Sequence, residues 1–258
     1  MMFLIVFVHE LGHTVAAMHF RWRIQKIELL PFGGVAHVDE HGNRPIREDF
    51  IVTIAGPLQH IWLMGLSFLL LPFDWWTTGD HAIFMFHNLT VLLFNLLPIW
   101  PLDGGKILFI LYSYYAPFRM AYEQSLILSF ILLVTMGAIA LVQLPFHLNL
   151  WVVLAFLLFH HYIAWKQRSF TYMRFLLERY DIARNDEMVP RKERKTSADT
   201  TVIEAINMLH RCARYDFKIP SAGHTVREED ALNAYFDQKQ RFVSLRDLAA
   251  TPPIFDLK

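Results

Sequence analysis

The chain has 258 residues, 54% of them hydrophobic, with a formal net charge of zero and a single cysteine. That apolar share exceeds the roughly 45–50% usual for soluble domains, and a neutral chain lacks the basic footprint that nucleic-acid binding requires. One cysteine, Cys212, excludes an internal disulfide framework.

Charge is distributed unevenly. Residues 1–165 carry 7 Lys/Arg and 10 Asp/Glu, and residues 166–258 carry 17 and 14. The pattern predicts an apolar membrane body over 1–165, a linker over 166–198 and a small α/β tail over 199–258. A bilayer-spanning helix needs about 20 predominantly apolar residues, and five stretches meet that need: 1–20, 50–73, 83–100, 125–144 and 148–165. A sixth helix, over 107–115, is expected to resume after the proline break at 98–101. The expected fold is therefore an all-α polytopic membrane protein of five to six transmembrane helices, followed by the tail. The first stretch lacks the basic start and small-residue cleavage site of a signal peptide.

Between the first two spans, Ile24-Gln25-Lys26-Ile27-Glu28-Leu29-Leu30 alternates like a strand. Pro31-Phe32-Gly33-Gly34 signals a turn before Val35-Ala36-His37-Val38, predicting a short β-hairpin at the membrane surface. The loops holding Arg21, Arg23, Lys26, Lys106, Arg119, Lys166 and Arg168 fall on one side of the bilayer, and Trp75 and Trp76 on the other. The positive-inside rule then puts the C-terminal domain in the cytoplasm.

The first span contains His9-Glu10-Leu11-Gly12-His13. Residues i and i+4 share a helix face about 5–6 Å apart, so both imidazoles can reach one metal ion with Glu10 beside them as a general base. Histidines that merely pack a helix would be costly inside a bilayer, where ionisable groups persist for a function. A catalytic zinc needs three protein ligands and an open position. Asp103 is the candidate third ligand: it is the only acidic residue between Asp80 and Glu123. It stands at a broken-helix signal, Leu96-Leu97-Pro98-Ile99-Trp100-Pro101-Leu102-Asp103-Gly104-Gly105, and irregular backbone at membrane depth is tolerated only within protein or beside a water-filled cavity. The other histidines, His60, His160 and His161 among them, have no partner at a spacing that improves on this set, and the last two are expected near a helix end.

HELGH on one membrane helix and N-x-x-P-x-x-P-x-D-G on a later one (Asn95 to Gly104) resemble the site-2 proteases, intramembrane zinc metalloproteases, as does Ala55-Gly56-Pro57 between them. The run Asn95 to Lys106 is most similar to the sporulation branch of that family. The resemblance implies zinc on His9, His13 and Asp103, Glu10 as base, and Asn95 and Pro101 shaping the substrate site. Asn95 either binds substrate through its amide or packs a helix. The resemblance further implies a protein substrate, the pro-region of a sporulation sigma factor precursor, with inhibitory membrane proteins as partners and the mother-cell membrane around the forespore as location. Members of that branch carry a further membrane helix before the HExxH helix, whereas here the motif begins at residue 9. The tail resembles a partial CBS-type module through Thr200 to Leu209, with Thr200 as helix cap. That likeness implies ATP or another adenine nucleotide as ligand and a homo-oligomer through the C-terminal domain. Two rival classes stand beside the protease: a metal transporter, and a catalytically inactive membrane sensor or scaffold.

Overall fold

In a computed structural model the described residues are all but 23, 31–32, 39–42, 144–147, 185–190, 221–222 and 251–258; of 24–30, 33–38, 143 and 182–184 the backbone alone is described. The elements run α1 (Met2–His19), β1 (Ile24–Leu30), β2 (Gly33–Val38), α2 (Ile46–Leu70), α3 (Thr78–Asn95), α4 (Asp103–Tyr115), α5 (Phe118–Gln143), α6 (Leu148–Arg184), β3 (Arg191–Lys195), α7 (Val202–Asn207), β4 (Arg214–Ile219), β5 (His224–Arg227), α8 (Glu228–Phe236) and α9 (Leu245–Ala250).

Four helices among the described residues are long and apolar enough to cross a membrane: α1, α2, α5 and α6. Of the stretch expected to span at 83–100, residues 83–95 are helical, and their helix, α3, is displaced toward the N-terminus. It opens on the capping box of Thr77 and Asp80 and takes in Asp80, His81, His87, Asn88 and Asn95, which dilute its apolar character. The helix expected at 107–115 is present as the C-terminal part of α4.

The chain divides into two compact units. The first comprises Met1–Glu40, Ile46–Tyr112 and Glu123–Gln167, and the second His41–Pro45, Ser113–Tyr122 and Arg168–Lys258. In the first unit, α1, α2 and α3 share a core of Ile5, Leu63, Phe84 and Val91. A second core joins Ile99 and Leu102 to Leu133 and Ala140 of α5 and Leu154 and Leu157 of α6. Lipid is as apolar as leucine, so helices in a bilayer associate through close packing and interhelical hydrogen bonds rather than through a hydrophobic drive. The antiparallel hairpin β1–β2 pairs from Ile24↔Val38 to Leu30↔Gly33, as the alternation predicts; turn residues 31 and 32 lie outside the described residues.

The second unit includes a three-stranded sheet in the order β3-β4-β5, with β3 parallel to β4 and β5 antiparallel to it. This corrects the linker expected over 166–198. Residues 166–184 continue α6, whose 37 residues reach about 55 Å at 1.5 Å per residue, and Arg191–Lys195 is an edge strand. An edge strand rich in Lys and Arg discourages unwanted strand pairing, which is why its composition imitates a linker. The helix cap also shifts by one residue: Thr201, not Thr200, caps α7, in a reciprocal capping box with Glu204.

Candidate metal centre

His9, Glu10 and His13 lie on consecutive turns of α1 and are buried. Asp103 is the first residue of α4 and is 4% exposed, at a helix N-terminus, where a negative charge is favoured. The break before it is built as the prolines demand. α3 stops at Asn95, a series of turns follows, and the Trp100 N–H donates to Ser129 Oγ at 2.7 Å. Trp100-Pro101 is a cis peptide. Gly104 and Gly105 belong to the first turn of α4 rather than to the break itself. A Cβ on Gly104 would stand 2.2 Å from the Leu96 carbonyl oxygen, so glycine lets α4 restart tightly against the preceding turn.

Three atoms converge. His9 Nε2 and His13 Nε2 are 3.1 Å apart, and each is 3.0 Å from Asp103 Oδ2. Whether a metal fits here depends on which of these atoms carry hydrogen. His13 Nδ1 is 2.8 Å from the Val52 carbonyl oxygen, which can only accept, so Nδ1 carries the proton and Nε2 presents a lone pair. His9 Nδ1 contacts His60 Nε2 at 3.0 Å, turning His9 Nε2 the same way, and the other oxygen of Asp103 accepts from Lys106 Nζ at 3.0 Å. With both imidazoles neutral, three lone pairs face one another, an arrangement that a cation resolves. Zinc bonds of about 2.0–2.2 Å in a tetrahedral set place ligand atoms roughly 3.3 Å apart, so the three atoms need move only a few tenths of an ångström. The residues fit a zinc ion.

Gly56 explains why Ala55-Gly56-Pro57 sits opposite the motif. A Cβ there would lie 2.2 Å from His13 Nε2. Only glycine lets α2 come this close to the imidazole. Pro57, inside α2, has no N–H to give to the Thr53 carbonyl, and the Val52 carbonyl one residue earlier accepts from His13 Nδ1.

The remaining expected residues stand apart from this triad. Asn95 is the last residue of α3, half-buried, and Pro101 is half-buried in the turn before Asp103. No hydrogen bond to the Asn95 amide is found among the described residues. Glu10 is 9% exposed and close enough to Lys106 to interact with its charge. His60, set aside on spacing alone, is fully buried and contacts His9; 51 residues separate the two, so no local pattern signals the pair. His160 and His161 lie within α6 rather than at its end, because the helix continues well beyond the apolar stretch.

A profile of Peptidase family M50 matches residues 1–81 and 80–139. The chain is 39% identical over 248 residues to Stage IV sporulation protein FB of Bacillus subtilis, covering 95% of this chain and 86% of that protein. It is 38% identical over 112 residues to Zinc metalloprotease MJ0392 of Methanocaldococcus jannaschii, covering 42% of this chain and 32% of that one. Its structure is similar to that of the Site-2 Protease from Methanocaldococcus jannaschii, with a TM-score of 0.52 and 28% identity over 63% of this chain and 74% of the other.

Proposed function

The chain belongs to peptidase family M50 and is an integral membrane zinc metalloprotease of the site-2 type, and from that premise we propose that its zinc is held by His9, His13 and Asp103 with Glu10 as general base. The observation that carries this assignment is the convergence of His9 Nε2, His13 Nε2 and Asp103 Oδ2 within 3.1 Å of one another.

When bound, the zinc ion supplies Lewis-acid chemistry, acidifying a water and polarising the scissile carbonyl. Glu10, adjacent to the first ligand and within one helical step of the site, accepts the proton from the attacking water. It then returns that proton to the leaving amine, the two-way role of a general acid–base group. Lys106 holds one oxygen of Asp103 so that the other stays aimed at the centre. Around this centre, the Asn95 amide and Pro101 receive the substrate backbone. Asn95 is free to turn its dipole toward the developing oxyanion, where a fixed donor stabilises charge.

A substrate helix satisfies its own backbone in lipid and must unwind before attack. The β1–β2 hairpin can take the unwound segment as an added strand, which gains affinity through main-chain hydrogen bonds. In function class we follow the sporulation relative: the substrate is a membrane-associated sigma factor precursor cleaved at its pro-region, the partners are inhibitory membrane proteins, and the location is the mother-cell membrane around the forespore, with the tail in the cytoplasm. The tail over 199–258 we read as a partial CBS-type module that binds an adenine nucleotide and pairs with a second copy. Support comes from the reciprocal capping box that opens α7 and from the three-stranded sheet of the same unit.

The test is co-expression of the chain with a tagged pro-sigma factor. Cleavage by the wild type and none by Glu10→Gln supports both the substrate class and the base. Cleavage by Glu10→Gln at the wild-type rate removes Glu10 from the mechanism. For the tail, calorimetric titration of the full chain in detergent with ATP should give heat; none at millimolar ligand removes the nucleotide reading.

A further inference from the structure

The lone pair that His9 turns toward the metal site is decided two residues away, on neighbouring helices. Asn88 of α3 is fully buried, and its Nδ2 donates to the His60 carbonyl oxygen at 2.8 Å. Facing a carbonyl, that end of the amide must be the NH2 group, so the amide orientation is unambiguous. The opposite end, Oδ1, then lies 2.7 Å from His60 Nδ1 and can only accept, so His60 Nδ1 carries the hydrogen. His60 Nε2 is left with a lone pair, which faces His9 Nδ1 at 3.0 Å. His9 Nδ1 must donate there, and His9 Nε2 is bare.

We propose that His60 and Asn88 are positioning residues of this protease: a neutral Asn88–His60–His9 hydrogen-bond relay that dictates the tautomer and ring orientation of the first zinc ligand. This inference rests on the reading of His9, His13 and Asp103 as the metal site. With the reverse tautomer, His60 Nδ1 would confront Asn88 Oδ1 as two acceptors at 2.7 Å in a buried place, and unpaired buried groups of this kind are costly. The relay therefore penalises the tautomer of His9 that would turn an N–H toward the metal.

The two histidine ligands are secured differently. His13 is oriented by a backbone carbonyl, that of Val52, which no side-chain substitution removes. His9 depends on side chains alone, so this half of the outer shell can be mutated. A ligating histidine is commonly oriented by a carboxylate or carbonyl. A carboxylate at position 60 would add negative charge to a centre that already holds Asp103 and Glu10, whereas a neutral imidazole orients His9 without it.

The measurement is zinc affinity of the full chain in detergent by competition with a chromophoric chelator, read beside the visible spectrum of the cobalt-substituted protein and the kinetics of cleavage. His60→Leu and Asn88→Leu should each weaken zinc binding by about 10–100-fold, the usual effect of losing an outer-shell partner. Both should change the cobalt spectrum and lower kcat with KM little altered. His60→Gln keeps an acceptor where Nε2 stood and should recover most of the affinity, which a purely packing role would not predict. Should His60→Leu fail to fold, Asn88→Leu carries the test, because it removes the hydrogen bonds at nearly constant volume. Wild-type zinc affinity in both leucine variants would overturn the relay, as would a His60→Gln variant no better than His60→Leu. A wild-type chain that binds no zinc would overturn the metal-site reading itself, and the relay with it.

Discussion

Both units bury polar side chains, but they do so to opposite ends. In the second unit every atom of the Arg179 guanidinium is matched. It pairs with Glu228 and donates to the carbonyls of His210 and Ala213, while Glu228 also accepts from the Tyr215 N–H at 2.8 Å. Arg214 and Arg191 share Glu229 in the same way. Donors meet acceptors, and the cluster is complete without any outside group. In the first unit, with both imidazoles neutral, His9, His13 and Asp103 present acceptors to acceptors. Buried polar groups that satisfy one another hold a fold together; groups that converge unsatisfied wait for a ligand.

The largest effects that would test this contrast lie at the proposed metal centre. Glu10→Gln should retain zinc yet lose about 10²–10⁴-fold in cleavage rate, the span expected of general acid–base catalysis. Asp103→Ala should lose the zinc as well, by metal analysis of purified protein. If Asp103→Ala keeps a full complement of metal, the ligand set is wrong.

In the second unit the expected loss is of stability. Arg179→Met leaves Glu228 buried without its cation, a change that costs about 3–5 kcal/mol. Thermal unfolding should drop while zinc content stays unchanged, and adding Glu228→Gln should recover part of the loss. Reduced zinc in Arg179→Met would show that the two clusters are not separate in function.

Gly56→Ala comes next. Its Cβ would force His13 aside, an overpacking cost of about 1–3 kcal/mol, read as weaker zinc binding by chelator competition. The smallest effect is at the cap of α7. Thr201→Ala should cost about 1 kcal/mol, measured by faster hydrogen exchange of the helix amides. The Thr201 backbone N–H and then its hydroxyl hold the Glu204 carboxyl below its ordinary value of 4.5. A depressed carboxylate stabilises the folded state above that ordinary value, and the contribution disappears as pH falls through the lowered one. Exchange of α7 should therefore accelerate below about pH 4.5 in wild type, and that dependence should weaken in Thr201→Ala, which loses the hydroxyl but keeps the backbone N–H.

Much of this site is readable from residue order because its parts are local. The i, i+4 histidines need only a helix to meet, and Asp103 is singled out as a lone acid beside a proline break. The hairpin follows from alternation and a turn signal, and the sharp rise in charge after residue 165 separates apolar from polar chain. Residue order misleads where composition stands for structure. Arg191–Lys195 reads as a linker because a basic edge strand and a basic linker look alike, and α3 reads as a full span because its apolar run continues past Asn95, whereas the helix starts in a polar turn and ends there.

The relay of Asn88, His60 and His9 could not be read in this way. Its members lie on three helices, and nothing along the chain connects His60 or Asn88 to His9 until the helices pack. The sequence alone determined the chemistry available to this protein: two imidazoles, an adjacent carboxylate and a distant aspartate in an apolar chain. Tertiary structure decided which lone pairs face the centre, because the tautomer of a ligand is set by the partner of its other nitrogen, and that partner is a matter of distance in space rather than along the chain.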